Sequence, residues 1–317
     1  MDAIVVGIDV SKDRLDVAVR PSGEIFAVAR DTAGLSELLD RLKPLAPMAI
    51  GLEATGGYET VVAATLVGAS LPVVVVNPAQ VRAFARALGK RAKTDPLDAS
   101  VIAHFVEATK PAVRPLLDAD TRHLAELVAR RDQIIDMMVA ERQRQKRLTA
   151  KRLQKSIARL LAALRKELSA LETDIDDAVR GSPAWREKED LLASVPGVGK
   201  VVARTLIAEL PEIGTLDRRR IAALAGLAPW TRQSGQWKGK SCIGGGRARV
   251  RSALFMAAMV GARHNRVLKA FRDKLVAAGK PRIVALVATA RKLLTILNAI
   301  VRDGKKWKEA EHGAASN

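Results

Sequence analysis

Polar and apolar positions along the first hundred residues change period every few residues, as they do where strands and helices alternate. Ile4 to Asp9 is a near-continuous apolar run, the pattern of a buried strand. Arg14 to Arg20 alternates polar with apolar, which predicts a half-exposed strand, and Pro21-Ser22-Gly23 supplies a turn into a third strand over Glu24 to Val28. Helical spacing follows over Thr32 to Leu42, then a fourth strand from Met48 to Leu52 and helical spacing again from Glu59 to Leu66. A fifth strand from Leu71 to Val76 and helices from Pro78 to Leu88 and from Asp95 complete the region. This order predicts a three-strand meander joined to parallel strands, with helices on the faces of the sheet.

After Pro115 the pattern becomes purely helical. No Gly or Pro interrupts the chain until Gly181, which predicts one or two long helices, possible as a hairpin. Ile157, Leu161, Leu164, Leu168, Leu171 and Ile175 recur at steps of four and three, the spacing of a coiled-coil seam and equally of a core-facing helix. With no obvious packing partner nearby, self-association is the favoured expectation. Gly181-Ser182-Pro183 ends the run, and a third region, helical throughout, is expected from there. The domains so delimited are residues 1–115, 116–182 and 183–317.

Charge adds a partner to this outline. Lys and Arg number 53 against 34 acids, a formal net charge of +19, which makes a polyanion the default ligand. No apolar run approaches a membrane span and no export signal is apparent, so a cytoplasmic protein without a membrane partner is expected. The single Cys242 excludes an internal disulfide and a Cys-rich zinc site. Positive charge is concentrated in two places. Arg142, Arg144, Lys146, Arg147, Lys151, Arg152 and Lys155 crowd one helical stretch with Glu141 as the one acid. From Arg218 to Arg272 there is no acid at all, while Arg232, Lys238, Lys240, Arg247, Arg249 and Arg251 are present. Both stretches are candidate phosphate-tracking surfaces, and Trp230 and Trp237 are candidates for stacking on unpaired bases as well as for core packing. Val195-Pro196-Gly197-Val198-Gly199-Lys200 is similar to a helix-hairpin-helix, whose glycines open backbone N–H groups to a phosphate; a plain helical turn would use the same glycines.

Candidate chemistry rests on carboxylates. Asp9 closes the first strand, Glu53 the fourth, and Asp95 and Asp98 stand three apart at the start of a helix. Asp before Pro also suits a helix cap, so each acid alone leaves two readings open. Together they are an all-oxygen set for Mg²⁺ or Mn²⁺. Their order along the elements is that of ribonuclease H-like (RuvC-like) nucleases. Downstream, Gly226-Leu227-Ala228-Pro229 leads into Ser234-Gly235 within a loop, an exposed hydroxyl in a cationic setting; Ser241 is a second serine of the same loop.

The combination of Asp9, Glu53, Asp95-x-x-Asp98, a long helical insert, the Val195 to Gly199 turn, and Gly226-Leu227-x-Pro229 before Ser234-Gly235 resembles the DEDD insertion-sequence transposases. The resemblance covers nearly the whole chain. It implies an α/β RuvC-like N-terminal domain, a coiled-coil insert and an all-α C-terminal transposase domain. It further implies that Asp9, Glu53, Asp95 and Asp98 bind two Mg²⁺ ions and that Ser234 forms a covalent link to a DNA end. A noncoding bridge RNA would pair with donor and target DNA. A dimer, and a tetramer on DNA, would bring the serine domain of one protomer to the metal site of another. The rival from the same four acids is a hydrolytic, structure-specific nuclease of the Holliday-junction type that activates water; a non-enzymatic nucleic-acid binder is a third reading.

Overall fold

The computed structural model describes residues 3–54, 56–90, 95–113, 118–231, 233–234 and 237–308, with the side chains of 95–97, 237 and 238 left aside. The chain divides into two compact units, Met1–Leu117 and Asp118–Asn317.

The first unit is a five-stranded sheet with helices on both faces. Strands β1 (Val5–Val10), β2 (Arg14–Arg20) and β3 (Ile25–Ala29) form the expected meander. Helix α1 (Thr32–Leu42), capped by the Asp31 carboxylate, leads to β4 (Ala49–Glu53), which lies parallel to β1. Helix α2 (Glu59–Gly68), β5 (Val73–Val76), α3 (Pro78–Ala87) and α4 (Asp95–Thr109) follow, β5 parallel to β4. The strand order is β3-β2-β1-β4-β5. Period-two alternation sorts the strand residues between two cores. Val6, Ile8, Val10, Ile50 and Leu52 pack with Leu38, Leu42, Val62 and Leu66 of α1 and α2. Val5, Ala49, Val74 and Val76 pack with Val101, Ile102 and Val106 of α4.

On this second face, Gly7 and Gly51 are direct cross-strand partners in β1 and β4. A Cβ on Gly7 would lie 2.3 Å from the Ala99 carbonyl oxygen and the Ala103 nitrogen, and one on Gly51 2.5 Å from Val106 Cγ2. The missing side chains thus form a trough into which α4 is pressed, its backbone against Gly7 and its Ile102 and Val106 side chains against Gly51. Gly7→Val is expected to destabilise this unit by about 3 kcal/mol, since neither main chain can yield without losing its own hydrogen bonds; a thermal melt of the unit's transition checks it.

The strand from Arg14 to Arg20 departs from expectation. It is buried from Leu15 to Val19 rather than half-exposed. The alternation is present, but α4 covers the face that carries Asp16 and Ala18, so the polar positions do not meet water.

The second unit is helical. Helices α5 (Ala119–Arg147) and α6 (Lys151–Gly181) form a hairpin, so the predicted glycine-free run breaks at Leu148-Thr149-Ala150. Asp118 caps α5, and hydrogen bonds from the Thr121 backbone and hydroxyl hold its carboxyl below the ordinary carboxylate range. The seam of α6 is filled from within the chain: Leu161 and Leu171, with Ile157, Leu164 and Leu168 beside them, pack on Ile134 and Met138 of α5, while Ile175 enters the main core. The expectation that this seam joins two copies is corrected accordingly, because α5 is the packing partner that the pattern alone did not identify.

Helices α7 (Pro183–Ala193), α8 (Lys200–Glu209) and α9 (Arg218–Leu224) lead to a short ribbon, β6 (Gln233–Ser234) and β7 (Trp237–Lys238). Then come α10 (Ala248–His264), α11 (Arg266–Ala277) and α12 (Arg282–Asp303). The expectation of an all-helical region is corrected at the ribbon. Its residues are polar or aromatic and short in number, too few to register as a strand pattern. Helix α12 is long and apolar enough by composition to cross a membrane. Here its apolar residues, among them Leu293, Leu294, Leu297 and Ile300, are the centre of the helical core instead.

Candidate functional site

The acid residues gather at one edge of the first unit. Ile8 and Leu52 are the last pair between β1 and β4, so Asp9 and Glu53 follow side by side near the ends of adjacent strands. Asp9 is two residues beyond Gly7 and Glu53 two beyond Gly51, which puts both on the trough face, under α4. The direction of α4 is set by its far end. Glu107, near its C-terminus, accepts from Arg20 Nε at 2.7 Å, and Arg20 stands opposite Val5 at the start of β1. Ala99, in the first turns of α4, lies over Gly7. The helix therefore runs antiparallel to β1, and the turn that bears Asp95 and Asp98 lies at the end of the sheet where Asp9 and Glu53 stand.

One further acid stands here that sequence reasoning did not single out. Asp16 is the direct partner of Asp9 across β1 and β2, is 2 % exposed, and is held by Arg14 Nη2 at 2.7 Å. Asp16, Asp9 and Glu53 thus occupy three adjacent strands in a row. Like charges directly opposite one another repel, and Arg14 offsets the charge of Asp16 in this row. The signal was present as an acid in an alternating strand, but alternation assigned it to solvent.

This donor set is all oxygen and fits a hard dication in kind. Among the described residues no three acids or imidazoles close on one point as a finished metal cage. The Asp95 side chain, which the proposed set requires, lies outside the described residues, as do Lys93 and Thr94.

In the second unit, Ser234 sits exposed on β6, opposite Trp237 of β7. The ribbon stands on a ladder. Trp230 and Cys242 exchange two backbone hydrogen bonds, each of 2.9 Å, and Thr231 Oγ1 lies 2.8 Å from Ser241 Oγ. Ser241 is thereby engaged at the ladder while Ser234 is at the outer end. Below the ladder, Gly226 and Gly246, both with positive φ, meet main chain to main chain: a Cβ on Gly246 would lie 2.4 Å from the Gly226 nitrogen. That contact accounts for Gly246, and a positive φ suits glycine at Gly245. Arg232, Gly235 and the side chains of Trp237 and Lys238 lie outside the described residues.

The basic residues divide by partner. Arg142, Arg144, Lys146, Arg147, Lys151, Arg152 and Lys155 are all exposed at the closed end of the α5–α6 hairpin, where Glu141 pairs with Arg144. In the acid-free segment the positive charge is less unopposed than its sequence suggests. Glu212 accepts from both terminal nitrogens of Arg247, at 2.5 and 2.7 Å, and Glu209 accepts from Arg249 at 2.9 Å. Arg251 donates to the Gly245 carbonyl at 2.6 Å. These counter-charges stand just upstream of the segment, at the end of α8 and in the turn after it. Lys240 is exposed, as is Trp230.

At the turn between α7 and α8, Gly197 is explained by packing: a Cβ there would lie 2.5 Å from Gly261 of α10. Gly199, at the α8 N-cap, has no such neighbour, and Lys200 beside it lines a cleft of about 400 Å³ between α5, α6 and α8. In that cleft Arg204, bonded to Glu189 at 2.6 Å and to Asp176, holds the Asp176 carboxyl below its usual range. Gly199 and Lys200 are both exposed.

Comparison with known proteins places both units. Residues 6–152 match the family model described as a DEDD transposase of IS110 type, and residues 189–273 match the transposase model of the IS116/IS110/IS902 family. The pilin gene-inverting protein of Moraxella bovis is 27% identical over 98% of this chain and 100% of its own length, and its counterpart in Moraxella lacunata is equally similar. A 43.6 kDa protein of insertion element IS110 from Streptomyces coelicolor is 31% identical over 47% of this chain and 36% of its own length.

Proposed function

We infer, from the premise that this chain belongs to the IS110 family of DEDD transposases and is a DNA-rearranging enzyme, that it excises and inserts an insertion element by cutting and resealing DNA through a serine-linked intermediate. Asp9, Glu53, Asp95 and Asp98 hold divalent metal, Mg²⁺ or Mn²⁺, in this reading. The observation that carries it is the convergence of strand ends and helix start at one edge, with Asp9 and Glu53 adjacent above the Gly7/Gly51 trough. When bound, a dication in an all-oxygen set supplies Lewis-acid polarisation of the phosphoryl oxygen and stabilises charge on the departing one.

Ser234 Oγ attacks the phosphorus in line. The Oγ–P bond forms as the bond from phosphorus to the leaving strand's oxygen breaks; the hydroxyl proton passes to solvent and the departing oxygen takes one up. A hydroxyl of the new partner strand then attacks the phosphoserine, releasing Ser234 and sealing the joint. The exposed place of Ser234 at the outer end of the ribbon favours it over Ser241, whose oxygen is engaged with Thr231. A relative named for inverting a gene also favours resealing over hydrolysis, since an inverted segment must be rejoined at both ends.

Sequence choice falls to a partner. The chain carries no zinc-finger or basic-zipper pattern, and the cationic hairpin end and the Gly199-Lys200 turn suit backbone contacts that ignore sequence. A noncoding bridge RNA pairing with donor and target DNA completes the reading, as base pairing does in other guided systems, with a dimer or tetramer assembling on the DNA. The test uses protein purified from cells that carry the element's flanking noncoding DNA. Sequencing the co-purified RNA is expected to return one discrete species from that flank. Adding a duplex that spans the element's end is expected to give a denaturation-resistant protein–DNA adduct with Mg²⁺ and none with EDTA. Metal-dependent cutting without an adduct would replace this reading with the hydrolytic nuclease.

A further inference from the structure

We propose that Arg247, acting with Glu212, positions the Ser234 ribbon and makes no contact with nucleic acid, an inference that rests on Ser234 being the attacking residue. Leu227 and Ile243 pack in the helical core, and the described residues between them are mostly exposed. The Arg247 N–H donates to the Leu224 carbonyl at 2.8 Å, and the Gly226/Gly246 contact closes the neck. From there to Ser234 the two strands are joined by the Trp230/Cys242 bonds, the Thr231/Ser241 contact and the short β6–β7 pairing. A ribbon this narrow takes its direction from its neck.

The neck is tied to the core through a continuous chain of bonds. Asn298 of α12, 3 % exposed, accepts from the Gly214 N–H at 2.8 Å and donates to the Leu216 carbonyl at 2.8 Å, fixing the turn between α8 and α9. Glu212 lies in that turn and accepts the two-pronged bond from Arg247. One helical turn further on, Arg251 donates to the Gly245 carbonyl. The planar fork of an Arg fits a carboxylate through two parallel bonds, and a Lys cannot reproduce this. Both partners are partly withdrawn from solvent, with side-chain exposures of 31% and 21%. A guanidinium so engaged has its fork turned to Glu212, and a phosphate would have to displace that carboxylate.

Two conservative variants separate positioning from phosphate binding. Arg247→Lys keeps the charge and loses the fork; Glu212→Gln keeps the shape and loses the charge. The assay uses the full chain with its co-purified RNA, Mg²⁺ and the same element-end duplex. Each variant is expected to lower the rate of adduct formation at saturating DNA about 10- to 100-fold, the scale of a misplacement near 1 Å. DNA affinity and its salt dependence should stay at the wild-type values, and the double variant should be no slower than the slower single one. Amide hydrogen exchange should rise across residues 226–247 alone. A wild-type rate in Arg247→Lys overturns the inference. So does weaker binding of Arg247→Met with a salt slope reduced by about one, the mark of a lost phosphate contact, and so does exchange raised throughout the helical unit, which marks a general structural role. Failure of the serine reading is seen separately, as an adduct that survives in Ser234→Ala while Arg247→Lys still loosens residues 226–247.

Discussion

Ser234→Ala is expected to abolish the protein–DNA adduct and lower strand transfer by about 10⁴-fold or more, the scale on which loss of a nucleophile acts in enzymes that use one. The fold should be indifferent. Ser234 is exposed, and its place in the ribbon is held by backbone pairing with Trp237, which alanine preserves. Melting temperature and DNA affinity should therefore match the wild type. Ser241→Ala is the matched control. Its hydroxyl pairs with Thr231 at the ladder, so its loss should slow the reaction only modestly while leaving the adduct in place. Gel analysis of denatured reactions with a labelled duplex measures both. An adduct that persists in Ser234→Ala and vanishes in Ser241→Ala would reassign the nucleophile, and undiminished cutting in both variants would mean that water does the work.

The expectations that survived in the fold are those resting on strong local period. The run Ile4 to Asp9 and the alternation from Arg14 to Arg20 require strands, and the glycine-free stretch requires long helices. Three of the failures involve a second partner supplied from elsewhere in the chain. Asp16 looks solvent-facing until α4 covers it; the α6 seam looks unpartnered until α5 folds back on it; Arg247 and Arg249 look unopposed until Glu212 and Glu209 arrive from upstream. Period reveals which face is apolar or charged, not what lies against it. The candidate site follows the same division. Strand ends are legible, so Asp9 and Glu53 could be chosen, whereas the reason that they share a face lies in a Gly7/Gly51 pairing between residues far apart in sequence. The Ser234 ribbon left almost no strand signal because its pairs are so few.

Asp9→Asn is expected to keep the fold and lose the reaction. Asparagine has the shape of aspartate but only one strong acceptor oxygen and no charge, so a dication loses both a ligand and the charge that draws it in. The worth of that metal is several kcal/mol of transition-state stabilisation, and the expected loss in cutting is about 10³-fold. Stability supplies an independent readout. The wild type gains stability with Mg²⁺, as the ion binds the folded state only, and the variant gains little. A wild type whose melting is indifferent to Mg²⁺, together with an Asp9→Asn protein that still cuts, would remove the acid edge from the chemistry and leave its four carboxylates as helix caps and strand ends.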